Sequence, residues 1–376
     1  MSRETHLAKE RAVWLKAKAL ELGFTSVGIS KAGELVEEVP RLEKWLKEGK
    51  HGEMKYMEGH FEKRLDPRKL VPGTRSVVSL LFNYHNPDLP KQSGAPRISQ
   101  YALGKDYHYV IKWKLKELLK LAREEWGDVE GRVFVDSAPV MERAWAEKSG
   151  LGWIGKHSLL ISKKRGSYFF LAEMMLDIDL VVDGPVLDHC GDCTKCIDAC
   201  PTGAIIKPYV VDGSMCISYF TIELKGAIPE PYADKLGNWM FGCDVCQEVC
   251  PWNQNASKSP ESGLRPRPEN VAPELIELMK LDQSAFKKRF RKSPIKRTKR
   301  RGLLRNVAVA LGNWAHESAI PALSLGLQDS EPLVRSHAAW ALGRISASQA
   351  KINLKAAKIT EKDPAVLEEI EAALGA

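Results

Sequence analysis

Eight cysteines fall between residues 190 and 250, and their spacing is the most chemically specific feature of the chain. Cys190-x2-Cys193-x2-Cys196-x3-Cys200-Pro201 has the spacing of the bacterial ferredoxin run, in which three thiolates wrap one 4Fe–4S cube and the fourth reaches a second cube. The second run, Cys243-x2-Cys246-x3-Cys250-Pro251, is one cysteine short, and Cys216 can supply it from upstream. On the ferredoxin pattern, Cys190, Cys193, Cys196 and Cys250 hold one cluster, and Cys200, Cys216, Cys243 and Cys246 hold the other. Two zinc sites would also use Cys-x2-Cys pairs, but not the Cys-Pro endings or the x2, x2, x3 order. Two adjacent clusters conduct electrons and perform no substrate chemistry alone, so a partner cofactor or substrate belongs in another part of the chain.

Asp136 is a second candidate centre. It ends the apolar stretch Val133-Phe134-Val135 and precedes the turn Ser137-Ala138-Pro139. A carboxylate at the C-terminal end of a strand suits a ligand crevice, and the same position suits a helix N-cap. Arg143 lies seven residues on, two helical turns, and can point to the same end or face. Gly150-Leu151-Gly152-Trp153-Ile154-Gly155 spells GxGxxG, yet a helix precedes it and a strand follows, the reverse of a dinucleotide fingerprint. Gly150 to Lys156 also mimics a phosphate loop, but His157 stands where Ser or Thr should bind magnesium. Such a loop still lets backbone approach a large flat ligand closely.

Positive charge is concentrated. The chain carries a net +8, and Lys287 to Arg305 contains eleven Lys and Arg with no Asp or Glu, which leaves about −3 for the rest. A basic block on a mildly acidic body predicts a local polyanion site, with a solvated linker as the alternative. The N-terminus lacks the apolar core of a signal peptide, and no run approaches the length of a membrane span. The expected location is the reducing cytoplasm, where clustered cysteines bind metal or do redox chemistry.

The elements that must position these residues fall into three parts. Residues 1–180 read as alternating helices and strands. A first helix spans Ala8 to Leu22, with Val13, Ala17 and Leu20 at helical spacing. Phe24–Ile29 and the apolar Ser76–Asn83 read as strands, the second as a buried central one. Ile111, Leu115, Leu118 and Ala122 mark one helix face, Arg132–Val135 a strand, and Val140–Lys148 a helix. His157–Ser162 and Ser167–Leu176 read as further strands. Residues 181–260 hold every cysteine and show little periodicity, so they need metal to fold. In residues 265–376, after the basic block, Arg305 to Gly312 is echoed by Arg335 to Gly343, as in short HEAT-type helix pairs. Two units are few, so they should pack on the rest of the protein. The expected fold is therefore an α+β (α/β layered) domain, a two-cluster ferredoxin-like domain and C-terminal α-helical HEAT-like repeats.

Taken together, these motifs resemble the epoxyqueuosine reductase family. The resemblance runs through Glu62-Lys63-Arg64, Gly104-Lys105-Asp106-Tyr107-His108, Val135-Asp136-Ser137-Ala138-Pro139, Gly150 to His157, both cysteine runs and the repeat tail. It implies an enzyme related to reductive dehalogenases, using base-off cobalamin to reduce epoxyqueuosine to queuosine in the tRNA anticodon loop. Asp106-x-His108 is not followed by glycine at Ile111, so the usual cobalamin-histidine signature is missing there. The resemblance implies Asp136 as the acid and Arg64, Asp136, Arg143, Trp153, Lys156, Leu160 and Leu171 as cobalamin contacts. A cysteine found near the cofactor in some members is Ser99 here, which argues against an essential thiol. Asp136 can serve as acid if desolvation raises its pKa toward neutrality. Lys225, Arg297, Lys299, Arg300 and Arg301 are the expected tRNA contacts. An external electron donor is required, and the expected state is a monomer without membrane association. The competing readings are a corrinoid dehalogenase of small molecules and a non-catalytic ferredoxin-like carrier.

Overall fold

The computed structural model describes residues 3–90, 95–127 and 129–375. The N-terminal unit contains β1 (Ser26–Lys31), β2 (Ser76–Asn83), β3 (Arg97–Ile98), β4 (Gly131–Phe134), β5 (Trp153–Ile154), β6 (Leu160–Ile161) and β7 (Phe169–Leu176). Four of them form a sheet in the order β1-β2-β7-β4, with every neighbouring pair antiparallel. The unit is thus α+β. The apolar β2 is central, as its composition predicts, because it is covered on both faces.

Alternation along β2 assigns the faces. Val78, Leu80 and Phe82 join the core under the helices Arg3–Glu21 and Tyr107–Trp126, with Ile111, Leu115, Leu118 and Ala122 facing in as expected. Val77 and Leu81 point to the opposite layer, where the helix Glu142–Lys148 lies. The first helix turns a different stripe inward from the one its larger residues suggest. Ala12, Leu15 and Ala19 are buried, while Val13 and Leu20 are exposed. Small alanines let the helix sit close to the sheet, and size-weighted periodicity overlooks them. The expected strand over His157–Ser162 reduces to β6, which pairs only with the two-residue β5.

The cysteine segment carries β8 (Ile205–Lys207), β9 (Val210–Val211) and β10 (Trp239–Phe241), and β10 pairs with β3 of the N-terminal unit. Short helices, Lys195–Asp198 and Val245–Glu248, carry Cys196 and Cys246 and pack against each other. The segment also has an apolar core of Ile217, Phe220, Leu236 and Trp239, which Val309 of the repeat tail completes. Periodicity hides this core because its residues come from irregular chain and a π-helix, Tyr219–Glu223.

The tail forms the helices Lys299–Trp314, Ile320–Gly326, Pro332–Gly343, Ser348–Thr360 and Pro364–Gly375. The repeated glycines explain the echo in sequence. A Cβ on Gly312 would stand 2.6 Å from the Trp340 ring, and one on Gly343 would stand 2.7 Å from Ala373 Cβ. Each glycine thus permits one helix to cross the next at close range. The repeat residue Arg305 is fully buried and donates to the carbonyls of Phe220, Leu224 and Gly226 at the end of the π-helix. Asn306 donates to Thr221 and Met240 carbonyls at 2.8 Å each. These bonds satisfy orphan helix-end carbonyls and fasten the tail to the cysteine segment.

Candidate active site

Asp136 follows β4 in left-handed backbone, with φ 54°. It is not a helix cap: the following helix begins at Glu142 with Met141 before it and no capping side chain. Its carboxylate instead gathers three partners. Tyr107 OH donates to Oδ2 at 2.5 Å, His108 Nε2 stands 3.5 Å from Oδ2, and Arg297 Nη1 stands 3.9 Å away. Tyr107 and His108 are placed by the start of the long helix, whose N-cap Asp106 accepts from His108 N at 3.1 Å and pairs with His108 Nδ1 at 2.8 Å. His108 therefore bridges two carboxylates. Burial opposes its charge, but hydrogen bonds to Asp106 and Asp136 outweigh that and raise its pKa to about 9.

Asp136 departs from the sequence expectation. Burial pushes its pKa up, but the hydrogen bonds from His108 and Tyr107 and the charges of His108 and Arg297 hold it below the usual carboxylate value. Both shifts favour a carboxylate at Asp136 and an imidazolium at His108 near neutral pH. The side chain is nonetheless 45% exposed, so it keeps an open face to solvent.

The cleft wall is built from the helix Glu142–Lys148, β6 and β7. Glu142 Oε1 accepts from Asp136 N at 2.6 Å. Arg143 is exposed and donates to the Ser158 carbonyl. Leu160 and Leu171 meet in one apolar cluster with Leu81 and Phe169. Arg64 donates to the Tyr56 carbonyl at 2.9 Å, while its Nε is buried without a partner. Tyr56 lies under the Arg297 guanidinium, 6.0 Å from ring centroid to Cζ. Two expected cofactor contacts also hold partners in the cysteine segment. Trp153 Nε1 donates to Cys190 Sγ at 3.4 Å, and Lys156 Nζ donates to the Gly191 carbonyl at 2.5 Å. Both tie the glycine-rich loop to the first cysteine run.

None of the eight cysteines is paired in a disulfide. Burial raises Cys196 to about 11, with further repulsion from Cys250, Cys190 and Cys193. Burial also raises Cys250, next to Cys190 and Cys193. In the other group, burial raises Cys243, with Cys216 and Cys200 adding to it, and Cys246, with Cys243 and Cys216 adding to it. The thiols thus fall into two mutually repelling sets, and Cys246 also feels Cys196, so the sets adjoin. Among the described residues, no three His, Cys, Asp or Glu converge as the ligands of a metal ion. A four-iron cube spreads its thiolates more widely than a single ion does.

The basic block divides. Lys225 and Lys299 are exposed, and Lys225 feels the positive charges of Arg297 and Lys299, so these three gather at the cleft. Arg297 also pairs with Glu223 at 2.9 Å and reaches Asp136, which places it in the site. Arg300 is instead held by Asp329 and the Leu281 carbonyl, and Arg301 faces Glu331 at 3.9 Å. These two, expected to meet RNA phosphates, join successive helices of the tail, because the turn before Pro332 presents acids to them.

Four site residues, Tyr107, His108, Glu142 and Glu173, receive no role from sequence reasoning. Tyr107 and His108 carried a signal, adjacent polar residues directly after an N-cap aspartate. Glu173 carried another, a lone carboxylate in the apolar strand Phe169–Leu176.

The family model described as "Epoxyqueuosine reductase QueG, DUF1730" matches residues 64–137, which include Asp136, Tyr107 and His108. A 4Fe-4S double cluster binding domain matches 189–253, and HEAT repeats match 297–375. The epoxyqueuosine reductase of Cellulophaga algicola is 57% identical over 293 residues, 78% of this chain and 95% of that protein. The one from Escherichia coli is 44% identical over 335 residues, 88% of each chain. Among solved structures, epoxyqueuosine reductase with an epoxyqueuosine-modified tRNA-Tyr stem loop superposes with TM-score 0.91 at 32% identity, covering 96% of this chain and 97% of that one. The enzyme from Bacillus subtilis, with its catalytic aspartate loop swung out of the active site, gives TM-score 0.90 at 32% identity, covering 96% and 98%. The chain belongs to the epoxyqueuosine reductase family.

Proposed function

We propose that this protein reduces the epoxide of epoxyqueuosine in the anticodon loop of tRNA, giving queuosine and water. One observation carries the reading: an open-faced carboxylate, Asp136, is bonded by a tyrosine and flanked by a histidine and an arginine of the basic block. Its relatives act in the same sense, and one is solved with the modified stem loop. We assign residues 1–180 to the catalytic unit, 181–260 to electron transfer and 265–376 to the basic segment and repeats. Among the described residues, no helix is long and apolar enough to cross a membrane. We place the enzyme in the cytoplasm, beside its tRNA.

The residues present fit the implied cofactors. The two thiol sets have the all-sulfur chemistry of 4Fe–4S ligands, and we assign Cys190, Cys193, Cys196 and Cys250 to one cluster and Cys200, Cys216, Cys243 and Cys246 to the other. A corrin needs an apolar wall and donors for its carboxamide rim. Leu160 and Leu171 supply the wall, and Arg64, Arg143 and Asp136 supply polar contacts. Arg64 Nε and His157 Nε2 are buried without partners. His157 Nδ1 accepts from Leu159 N, so its proton sits on Nε2, and burial lowers its pKa to about 4. Trp153 and Lys156, the further expected corrin contacts, also bond the first cysteine run and so link the two cofactor regions. When bound, cobalamin supplies low-valent metal for reductive ring opening, fed one electron at a time through the clusters.

The chain's own residues handle binding and protons. Converting the epoxide to an alkene takes two electrons and two protons, and both protons end on the departing oxygen as water. Asp136 Oδ2 is the delivery atom. A proton passed from His108 makes Asp136 a donor to the developing alkoxide, and Asp106 stabilises the imidazolium before it is used. Tyr107 fixes the carboxylate in place. Lys225, Arg297 and Lys299 hold the RNA backbone at the cleft mouth. The test is turnover of epoxyqueuosine-bearing tRNA with a low-potential reductant, with and without added cobalamin. Queuosine forming only with cobalamin supports the reading, and no queuosine under any reducing condition refutes it.

A further inference from the structure

Behind Asp136 lies a buried carboxyl that the reaction does not use. Glu173 sits in the middle of β7, between β2 and β4, opposite Ser79 on one side and Phe134 on the other. Its side chain is completely buried, and no donor reaches either of its oxygens. Ser79 Oγ is buried nearby and also makes no bond. What faces Glu173 is the carboxyl of Glu142, whose Oε1 accepts from Asp136 N at 2.6 Å. A fully buried carboxylate facing a half-buried one, with no donor on its oxygens, is disfavoured, so one proton shared between them turns repulsion into a hydrogen bond. The other charged groups facing the pair are Asp136, which opposes ionisation, and Arg143, which favours it, with Glu38 acting on Arg143 from the second helix.

The Asp136 loop needs such a fastening. Asp136 holds φ 54°, a conformation costing a non-glycine residue about 1–2 kcal/mol. Its N–H bond to Glu142 joins it to the helix behind.

We propose that Glu142 and Glu173 share one proton and together latch the Asp136 loop, which makes Glu142 a positioning residue. With the proton in place, one Glu142 oxygen is engaged with Glu173 and the other holds Asp136 N–H. With the proton lost, a second negative charge stands behind the Asp136 carboxylate, and the loop is released. Burial first and the Asp136 charge second raise Glu142 to about 7, and burial raises Glu173 further. The sign follows: carboxyls raised in the closed loop stabilise it fully below the free value of 4.5, and the Glu142 contribution is lost progressively as pH rises from there through about 7.

The latch rests on the reading of Asp136 as the acting residue, but its test needs no substrate or cofactor. Amide hydrogen exchange is followed across residues 131–142 in the purified full-length protein from pH 4 to 9, as protection factors. Amides of the Tyr107–Trp126 helix serve as the folding reference. In wild type, protection at Asp136 should fall by up to tenfold per pH unit between 4.5 and about 7, the slope for one proton. Glu142→Gln keeps an acceptor for Asp136 N and a donor for Glu173, so protection should stay high and flat with pH. Glu142→Ala should exchange at least tenfold faster at every pH. Glu173→Gln cannot share a titrating proton and should flatten the profile. Equal protection in wild type and Glu142→Ala, or an unchanged pH slope in Glu173→Gln, overturns the latch. Loss of turnover with an intact exchange pattern would instead count against the proposed reaction.

Discussion

Replacing Asp136 with asparagine separates chemistry from positioning. The amide oxygen still accepts from Tyr107 OH, now at 2.5 Å, and the backbone N–H still bonds Glu142, so the loop should stay closed. The variant loses its capacity to carry a proton. Positioned general acids contribute about 10²–10⁴-fold in rate, equivalent to about 2.7–5.5 kcal/mol of barrier at 1.36 kcal/mol per decade. Turnover of modified tRNA, followed as queuosine released by nuclease digestion, should drop by that factor while tRNA affinity changes little. A second readout is independent of activity. His108 is raised from 6.5 to about 9 by two carboxylates, and asparagine leaves only Asp106. The His108 imidazole, followed by NMR, should then titrate between those two values. His108 stabilises the folded site while charged, an effect complete below 6.5 and lost as pH rises through about 9. In wild type the loop latch limits activity first, near 7. Glu142→Gln should remove that limit and uncover the His108 limb near 9. Turnover within a few-fold of wild type in Asp136→Asn, together with an unchanged His108 titration, would refute the relay.

Two further outcomes follow from the same geometry. Cys216→Ser should abolish one of two 4Fe–4S signals by EPR and leave the other, and Cys250→Ser should remove the opposite signal; loss of the same signal in both variants would break the assignment of quartets. Arg300→Ala leaves Asp329 buried and unpaired, so it should cost up to about 3–5 kcal/mol of stability with an unchanged salt dependence of tRNA binding, whereas Lys299→Ala should reduce the slope of log affinity against log salt by about 1 with little change in thermal midpoint.

The cysteine spacing by itself determined the metal chemistry, because ferredoxin ligation is a local pattern and two short helices suffice to present it. The apolar run Ser76–Asn83 likewise announced a central strand, since burial on both faces leaves a mark on composition. The echo of Arg305–Gly312 in Arg335–Gly343 announced paired helices, since each glycine permits a close crossing. Other features depended on distant partners. Asp136 carries no sequence sign of being ionised, because its charge is set by His108, Tyr107 and Arg297, which come from two other parts of the chain. The eleven basic residues of the block look alike in sequence, yet Arg297 enters the cleft, Arg300 closes an ion pair and Arg305 is buried among carbonyls. Local sequence fixes which groups are available. Only the packing of the sheet, cysteine segment and repeat helices decides which partner each charge meets, and in a low-dielectric cleft that partner sets its protonation and its task.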